Sequence, residues 1–373
     1  MAKSDEKKKV RYGVAGLGHI AQIAVLPAFA RAKKNSELKA FVSDDPTKLK
    51  KLGKKYGVEN IYSYEEYDAC LNSGEIDAVY IALPNSMHAE YTTRAARAGI
   101  HVLCEKPLAV TAKECERMVR TTETNNVKLM TAYRLHFEEA NLKAIELIQS
   151  GKIGEPRIFN SVFTMQVAEN NIRLEDDLGG GTLYDIGVYC INAARYIFRS
   201  EPTEVFAVKS NNEEKRFDEV EEMISVIMRF PEERLAAFTC SFGASKVRSY
   251  QIVGTKGDIR VDPAYEYSED LKHHITINGK TRERIFPKRD QFAAELIYFS
   301  DCILQDRKPE TSGEEGLIDV KIVEALYRSA KTGKPVKLGD FERKRRPTMK
   351  QEIEQPPVEK PELVRVASPS GEK

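Results

Sequence analysis

Gly16, Gly18 and Ala21 fall in the run Val10-Arg-Tyr-Gly-Val-Ala-Gly16-Leu-Gly18-His19-Ile20-Ala21, a GxGxxA spacing between an apolar stretch and a helical one. The first glycine permits a tight turn and the second lets backbone approach a pyrophosphate. The small third residue lets the helix pack close to the strand. The helix start then offers the anion free N–H groups and the positive end of its dipole. Gly16, Gly18, His19 and Ile20 are therefore the expected phosphate cradle of a dinucleotide. The residue that reads the adenosine ribose should stand at the tip of the second strand, within Phe41-Val-Ser43-Asp44-Asp45-Pro-Thr-Lys48. An acid there would accept both ribose hydroxyls and repel a 2′-phosphate. Ser43 at the tip and Lys48 one helical turn on offer a hydroxyl and an ammonium instead, which favours NADP. A one-position shift would bring Asp44 to the tip and make NAD the cofactor.

A second set of residues suits the oxidation of a carbinol, which needs a base for the hydroxyl proton, a hydride acceptor and positive charge beside the developing alkoxide. Asp185 and Tyr189 are spaced i, i+4 on a helix that opens after three glycines, so they share one face. Lys106 follows a strand of the nucleotide half, at the sheet edge where doubly wound folds bind ligands. A free tyrosine titrates near ~10, so base work at neutral pH calls for a neighbouring cation in a dry site. The expected roles are proton transfer at Tyr189, alkoxide stabilisation and tuning at Lys106, and substrate orientation at Asp185. Asp185 is the alternative base.

The elements that must position these residues follow from the hydrophobic pattern. Apolar runs at Val10–Ala15, Leu38–Ser43, Ala78–Leu83, Ile100–Cys104 and Lys128–Ala132 alternate with helical stretches at Ile20–Ala32, Pro46–Tyr56, Met87–Ala98 and Ala112–Thr124. That alternation predicts a parallel sheet covered by helices on both faces. After a helix near Glu138–Gln149, strands follow one another at Arg157–Val167, Thr203–Val208, Met223–Phe230, Arg234–Phe242, Ser249–Val253 and Asp258–Val261. Thr182–Phe198 interrupts them as a helix, turn signals such as Asn278-Gly279 punctuate them, and helices near Gln291–Gln305 and Gly313–Lys331 come after. The fold class is α/β: a doubly wound Rossmann domain over 1–133, then an α+β domain over 134–340 with an open, mostly antiparallel sheet. Residues 341–373 hold five of the 16 prolines and no apolar period, which predicts a disordered tail whose Arg343–Arg346 run is merely solvated.

Longer segments carry a resemblance. Ala82-Leu-Pro84-Asn85-Ser-Met-His88, Val102-Leu-Cys-Glu105-Lys106-Pro107-Leu108, Ala132-Tyr-Arg134-Leu-His136, Arg173-Leu174, Gly179 to Asn192 and Gly313-Glu-Glu-Gly316 resemble the Gfo/Idh/MocA oxidoreductases over about Val10 to Lys337. The glucose–fructose oxidoreductase branch looks nearest, because it shares the tyrosine at Tyr189 where most members carry histidine. The resemblance implies a Rossmann domain followed by an open-sheet domain that mediates homodimers or homotetramers. It also implies cofactor contacts from Leu83, Pro84, Asn85, His88, Glu105 and Lys106, and a cis Pro107. The substrate would be a sugar or cyclic polyol held by Arg134, Arg173, Asp185, Tyr189 and Asn192. Inositol, xylose and dihydrodiol dehydrogenases, NAD-dependent glycosidases and non-catalytic dinucleotide-sensing regulators are the alternatives within the family. Retention of Lys106, Asp185 and Tyr189 favours an enzyme over a regulator. The glucose–fructose enzyme also has an export signal and a long N-terminal arm over its cofactor, whereas nine residues precede the first strand here.

Composition agrees with this picture. A net charge of +1, with 41% hydrophobic and 31% charged residues, gives no electrostatic reason for binding nucleic acid or a membrane surface. No apolar run approaches the ~20 residues of a membrane span. The six scattered cysteines and the charged first residues lead us to expect reduced thiols in the cytoplasm. His88 and His136 have no second ligand at metal spacing, so no metal is expected.

Overall fold

A computed structural model describes residues 8–370 apart from Glu342 and Lys344. The first sheet is built from β1 Val10–Ala15, β2 Ser36–Val42, β3 Asn60–Tyr62, β4 Ala78–Ile81, β5 His101–Glu105 and β6 Leu129–Ala132. They run parallel in the order β3-β2-β1-β4-β5-β6. Both faces are covered, and all four residues of β4 are buried, which is why these strands lack polar alternation. The helices between them are α1 Leu26–Ala28, α2 Pro46–Tyr56, α3 Tyr67–Leu71, α4 His88–Arg97 and α5 Ala112–Thr124. Local chemistry fixes their ends: Asp45 caps α2 with Pro46 at its first position, and Thr111 with Glu114 forms a capping box on α5. The helix expected over Ile20–Ala32 forms over 19–28, with a wider π-turn at Ala21–Val25 leading into the short α1, and ends in turns before Ala32. Leu26 N–H bonds Ala21 O, five residues back, and Pro27 has no N–H to continue a regular ladder.

The second sheet takes β7 Pro156–Thr164, β8 Glu204–Ser210, β9 Met223–Phe230, β10 Arg234–Ser241, β11 Val247–Gly254, β12 Gly257–Val261, β13 Leu271–Ile277, β14 Lys280–Phe286 and β15 Val336–Lys337. Their order is β14-β13-β12-β11-β7-β10-β9-β8-β15. β7 and β10 pair parallel and the other neighbours antiparallel. Strict alternation along β7, β9 and β10 turns Phe159, Phe163, Val226, Met228 and Phe238 inward, where they share a core with Leu142 and Ile145 of α6 Glu139–Gln149 and Ile191 of α7 Val188–Phe198. The opposite face leaves Ile158, Val162, Val208, Ile227 and Leu235 exposed.

Two helices tie the halves together. α8 Gln291–Leu304 returns to the first sheet, where Phe292, Leu296 and Phe299 join its core and Ser300 Oγ hydrogen-bonds Tyr12 OH at 2.8 Å. α9 Gly313–Thr332 gives Ile322, Val323 and Leu326 to the second core and Val320 to the first domain.

The tail corrects an expectation. Among its described residues, Arg343 and Arg346 are only 7% and 6% exposed, not solvated. Arg343 pairs with Glu310 and Glu315, and Arg346 Nη2 lies 2.6 Å from Glu201. Gln351 Nε2 donates to Glu310 at 3.1 Å. Further on, Asp290 N–H donates to Gln355 O, and Val364 N–H to Gln22 Oε1. Composition alone could not reveal these buried carboxylates, because they come from distant parts of the chain. Residues 1–7, Glu342, Lys344 and 371–373 lie outside the described residues.

Candidate active site

After β1 the chain turns at Gly16 with φ +93°, where a Cβ would stand 2.4 Å from Ala82 O. Only glycine fits this close approach. A Cβ at Gly18 would meet nothing within 4 Å, so the turn presents open backbone to a cavity of about 610 Å³. Gly16, Gly18, His19, Ile20, Ser43 and Lys48 line its first-domain wall, together with Leu83, Pro84, Asn85 and Glu105. Bare backbone at a helix start suits the pyrophosphate of a dinucleotide. At the adenosine end, Ser43 is buried and its Oγ accepts from Asp45 N–H at 3.3 Å. Asp45 is occupied with capping α2, accepting from Thr47 N–H at 2.8 Å and Lys48 N–H at 3.1 Å. Asp44, the acid that would favour NAD, also borders the cavity but is exposed.

The three expected catalytic residues meet in the same cavity. Lys106, at the end of β5, donates from Nζ to Asp185 O at 2.7 Å and to Asp185 Oδ1 at 3.0 Å. Arg173 Nε donates to Asp185 Oδ2 at 2.6 Å. Tyr189, four residues beyond Asp185, turns its ring to Lys106 Nζ at 5.0 Å and to Arg134 Cζ at 5.1 Å. Burial would raise the Asp185 carboxyl, but Arg173 and Lys106 outweigh it and hold the group well below the usual carboxylate range. Burial would likewise lower the Lys106 ammonium, yet Asp185, Tyr189 and Glu105 raise it above its ordinary value. A carboxylate with both oxygens in ion pairs is a poor proton acceptor. Asp185 is thus held through both carboxylate oxygens, by Lys106 on one side and Arg173 on the other. Glu105 moves the other way: burial raises its carboxyl despite Lys106 and the Tyr80 hydroxyl, which donates at 2.8 Å.

Glycines let these pieces approach. A Cβ at Gly180 would be 2.5 Å from Arg173 O, and one at Gly179 (φ +78°) would be 2.5 Å from Val110 Cγ2. Asn85 Nδ2 donates to Gly179 O at 2.8 Å, locking the first-domain loop to the turn that leads into Asp185. The Lys106–Pro107 peptide is cis, as the resemblance implied.

Two expected site residues lie elsewhere. His88 is fully buried, with Nδ1 2.9 Å from Pro107 O and Nε2 2.9 Å from Leu83 O. It braces the loops that carry Leu83 and Lys106 and does not border the cavity. Asn192 is likewise off the cavity: Nδ2 donates to Glu315 Oε1 at 3.0 Å and Asp319 Oδ2 at 2.9 Å, and Oδ1 meets His136 Nε2 at 2.7 Å. Seven residues past Asp185 on one helical face, it sits ~10 Å deeper along the axis. His136 belongs to that buried network, with Nδ1 2.8 Å from Glu310 Oε2. Arg134 does line the cavity, against the Tyr189 ring, and its Nη2 donates to Tyr265 O at 2.6 Å.

The far wall holds residues that the sequence did not single out. Gln166, Lys246, Arg248, Glu266 and Tyr267 face the cavity, with Arg248 ion-paired to Glu266 and Lys246 3.2 Å from the same carboxylate. Carrying the β11 alternation Tyr250–Ile252 back one step would have placed Arg248 on the inward face. Among the described residues no group of three or more His, Cys, Asp or Glu is arranged to hold a metal.

Comparison with known proteins agrees with this geometry. The sequence model of an oxidoreductase family with an NAD-binding Rossmann fold matches residues 10–133, and that of the GFO/IDH/MocA C-terminal domain matches 141–260. An aldose–aldose oxidoreductase from Caulobacter crescentus superposes with a TM-score of 0.85 at 38% identity, covering 89% of this chain and 100% of that one. A D-xylose 1-dehydrogenase [NADP(+)] from Haloarcula marismortui is 32% identical over 88% of this chain and 93% of its own. A 3-ketoreductase from Actinomadura kijaniata, solved with NADP and TDP-benzene, superposes with a TM-score of 0.80 at 28% identity, covering 86% of this chain and 98% of that one.

Proposed function

The chain belongs to the Gfo/Idh/MocA family of oxidoreductases, and from that premise we propose that it is an NADP-dependent enzyme moving a hydride to or from a carbinol carbon of a sugar or cyclic polyol. The observation that carries this reading is the meeting of Lys106, Asp185 and Tyr189 in the cavity that also opens onto Gly16 and Gly18. The aldose–aldose oxidoreductase and the NADP-dependent xylose dehydrogenase point, by their names, to aldoses as the substrate class.

Bound nicotinamide supplies the hydride acceptor or donor. The N–H groups at Gly16–Ile20 would hold the pyrophosphate, and Ser43 with Lys48 would take the 2′-phosphate. In the oxidative direction Tyr189, as phenolate, would take up the hydroxyl proton and become phenol, while the Lys106 ammonium would stabilise the carbinol oxygen as the C–H bond of the carbinol carbon breaks. Asp185 and Arg173 keep that ammonium in place. On the far wall Gln166, Arg248 and Tyr267 are positioned to pair the remaining hydroxyls of a sugar. In the reductive direction the same proton returns from Tyr189 to the carbonyl oxygen.

The proposal extends to a homodimer or homotetramer closed by the exposed apolar face of the second sheet. The cytoplasm is its proposed location, since all six cysteines are buried and free. Steady-state assays of the purified protein with NADP and with NAD, against aldoses, inositols and glycosides, test the reading. Reduction of NADP by at least one aldose or polyol is expected. Activity confined to glycoside hydrolysis, or none with any carbinol, would overturn it.

A further inference from the structure

The tail bonds to both domains and lines part of the nucleotide cavity. At one end Val364 is clamped by Gln22, the buried residue just past the Gly16–Ala21 turn: its N–H donates to Gln22 Oε1 at 2.7 Å and its O accepts from Gln22 Nε2 at 3.0 Å. Gln22 Nε2 also donates to Leu17 O at 2.9 Å, so one side chain ties the tail to the phosphate-binding turn itself. At the other end Ala168 N–H, from the second domain, donates to Pro369 O at 2.9 Å, and Pro369 and Ser370 line the cavity.

Between these anchors stands Arg365. Its Nη1 lies 3.3 Å from both Asp45 Oδ1 and Thr47 Oγ1, at the start of α2 beside Ser43 and Lys48. Both contacts use one terminal nitrogen, and a guanidinium carries five N–H donors in a fork that matches phosphate oxygens.

Resting on the NADP reading above, we propose that residues 355–370 are a strap over the dinucleotide cleft and that Arg365 supplies, from the tail, a second cation beside Lys48 for the 2′-phosphate. The strap runs from Asp45, beside Ser43 and Lys48, to Ala168 of the second domain. A dinucleotide in the cleft is therefore covered on leaving, and Val364 and Pro369 must detach before it escapes. Specificity and residence time then share one segment: Arg365 discriminates NADP from NAD, while the span to Pro369 slows the release of either.

Two variants separate these effects from a failure of the underlying reading. Titration calorimetry with NADP and with NAD, and dissociation rates by fluorescence displacement of bound reduced dinucleotide, are measured on wild type, Arg365→Ala and a chain ending at residue 362. Loss of a charge-assisted phosphate contact should weaken NADP binding by ~10-fold or more in Arg365→Ala and leave NAD within ~3-fold. The shortened chain should release both dinucleotides faster than wild type and Arg365→Ala should release NAD at the wild-type rate. Unchanged NADP affinity in Arg365→Ala would overturn its role, and unchanged dissociation from the shortened chain would overturn the strap. Failure of wild type to bind either dinucleotide would instead defeat the cofactor reading on which both rest.

Discussion

Two polar side chains look alike in the sequence but sit in different surroundings. Asp185 and Asn192 stand on one helical face, yet Asp185 borders the cavity and Asn192 completes a network with His136, Glu315 and Asp319. Asn192→Ala strips partners from buried charged groups, which costs ~1–3 kcal/mol. Its melting temperature should fall while KM for the sugar and kcat of the folded fraction stay near wild type; a raised KM with unchanged stability would return Asn192 to the substrate pocket. Ser43 sets the other residue-scale test. A carboxylate in its place meets the 2′-phosphate at the strand tip, so Ser43→Asp should reduce the NADP preference by ~10-fold or more, read as the ratio of the two dissociation constants. A preference that does not move would put the reading of the ribose elsewhere.

At the scale of elements, what could be read in the chain depended on length and periodicity. Pro46–Tyr56 and Ala112–Thr124 were legible to the residue because their caps are written locally, as Asp45-Pro46 and as Thr111 with Glu114. β3 has three residues and β14 reads Lys-Thr-Arg-Glu-Arg before its apolar end, so neither shows a period, although the Asn278-Gly279 turn between β13 and β14 is plain. The cofactor turn and Lys106, Asp185 and Tyr189 were visible as spacing and motif; Arg248 was within reach of the β11 alternation, whereas Glu266, beyond that strand, needed the fold to bring it round. The tail's anchorage was hidden for the same reason. It depends on Glu310, where His136, Arg343 and Gln351 converge. Burial would lower the His136 imidazole, but Glu310 and Glu315 raise it above its ordinary value, while burial's upward push on Glu310 is outweighed by His136 and Arg343, which hold its carboxyl below the usual range. A raised imidazole contributes stability that is complete below ~6.5, its unfolded value, and is lost as pH climbs through its folded value. The melting-temperature gap between wild type and His136→Gln should thus shrink from pH 6 to pH 9. A gap that stays constant or widens would show that His136 is neutral in the folded protein.

For the whole molecule, the second sheet has two unlike faces. One carries the core and the far wall of the cavity, and the other sets exposed Val208 and Ile227 in adjoining rows with Val162 across β10. A charge in that patch must be desolvated if copies of the chain pack there, so Ile227→Asp should convert the proposed oligomer to monomer in sedimentation velocity while leaving the melting of the monomer cooperative. An unchanged oligomer would exclude this face. The two domains share one cavity, bordered by Lys106 and Tyr189 and by Pro369 of the tail. The most direct test is a single turnover: protein loaded with NADP is mixed with the best aldose of the panel, and the absorbance of reduced nicotinamide is followed in wild type and Lys106→Met. The account predicts stoichiometric reduction in wild type and a rate at least ~10²-fold lower in Lys106→Met, with NADP affinity kept within a few-fold. Equal rates in the two proteins, or no reduction in wild type with NADP demonstrably bound, would contradict it.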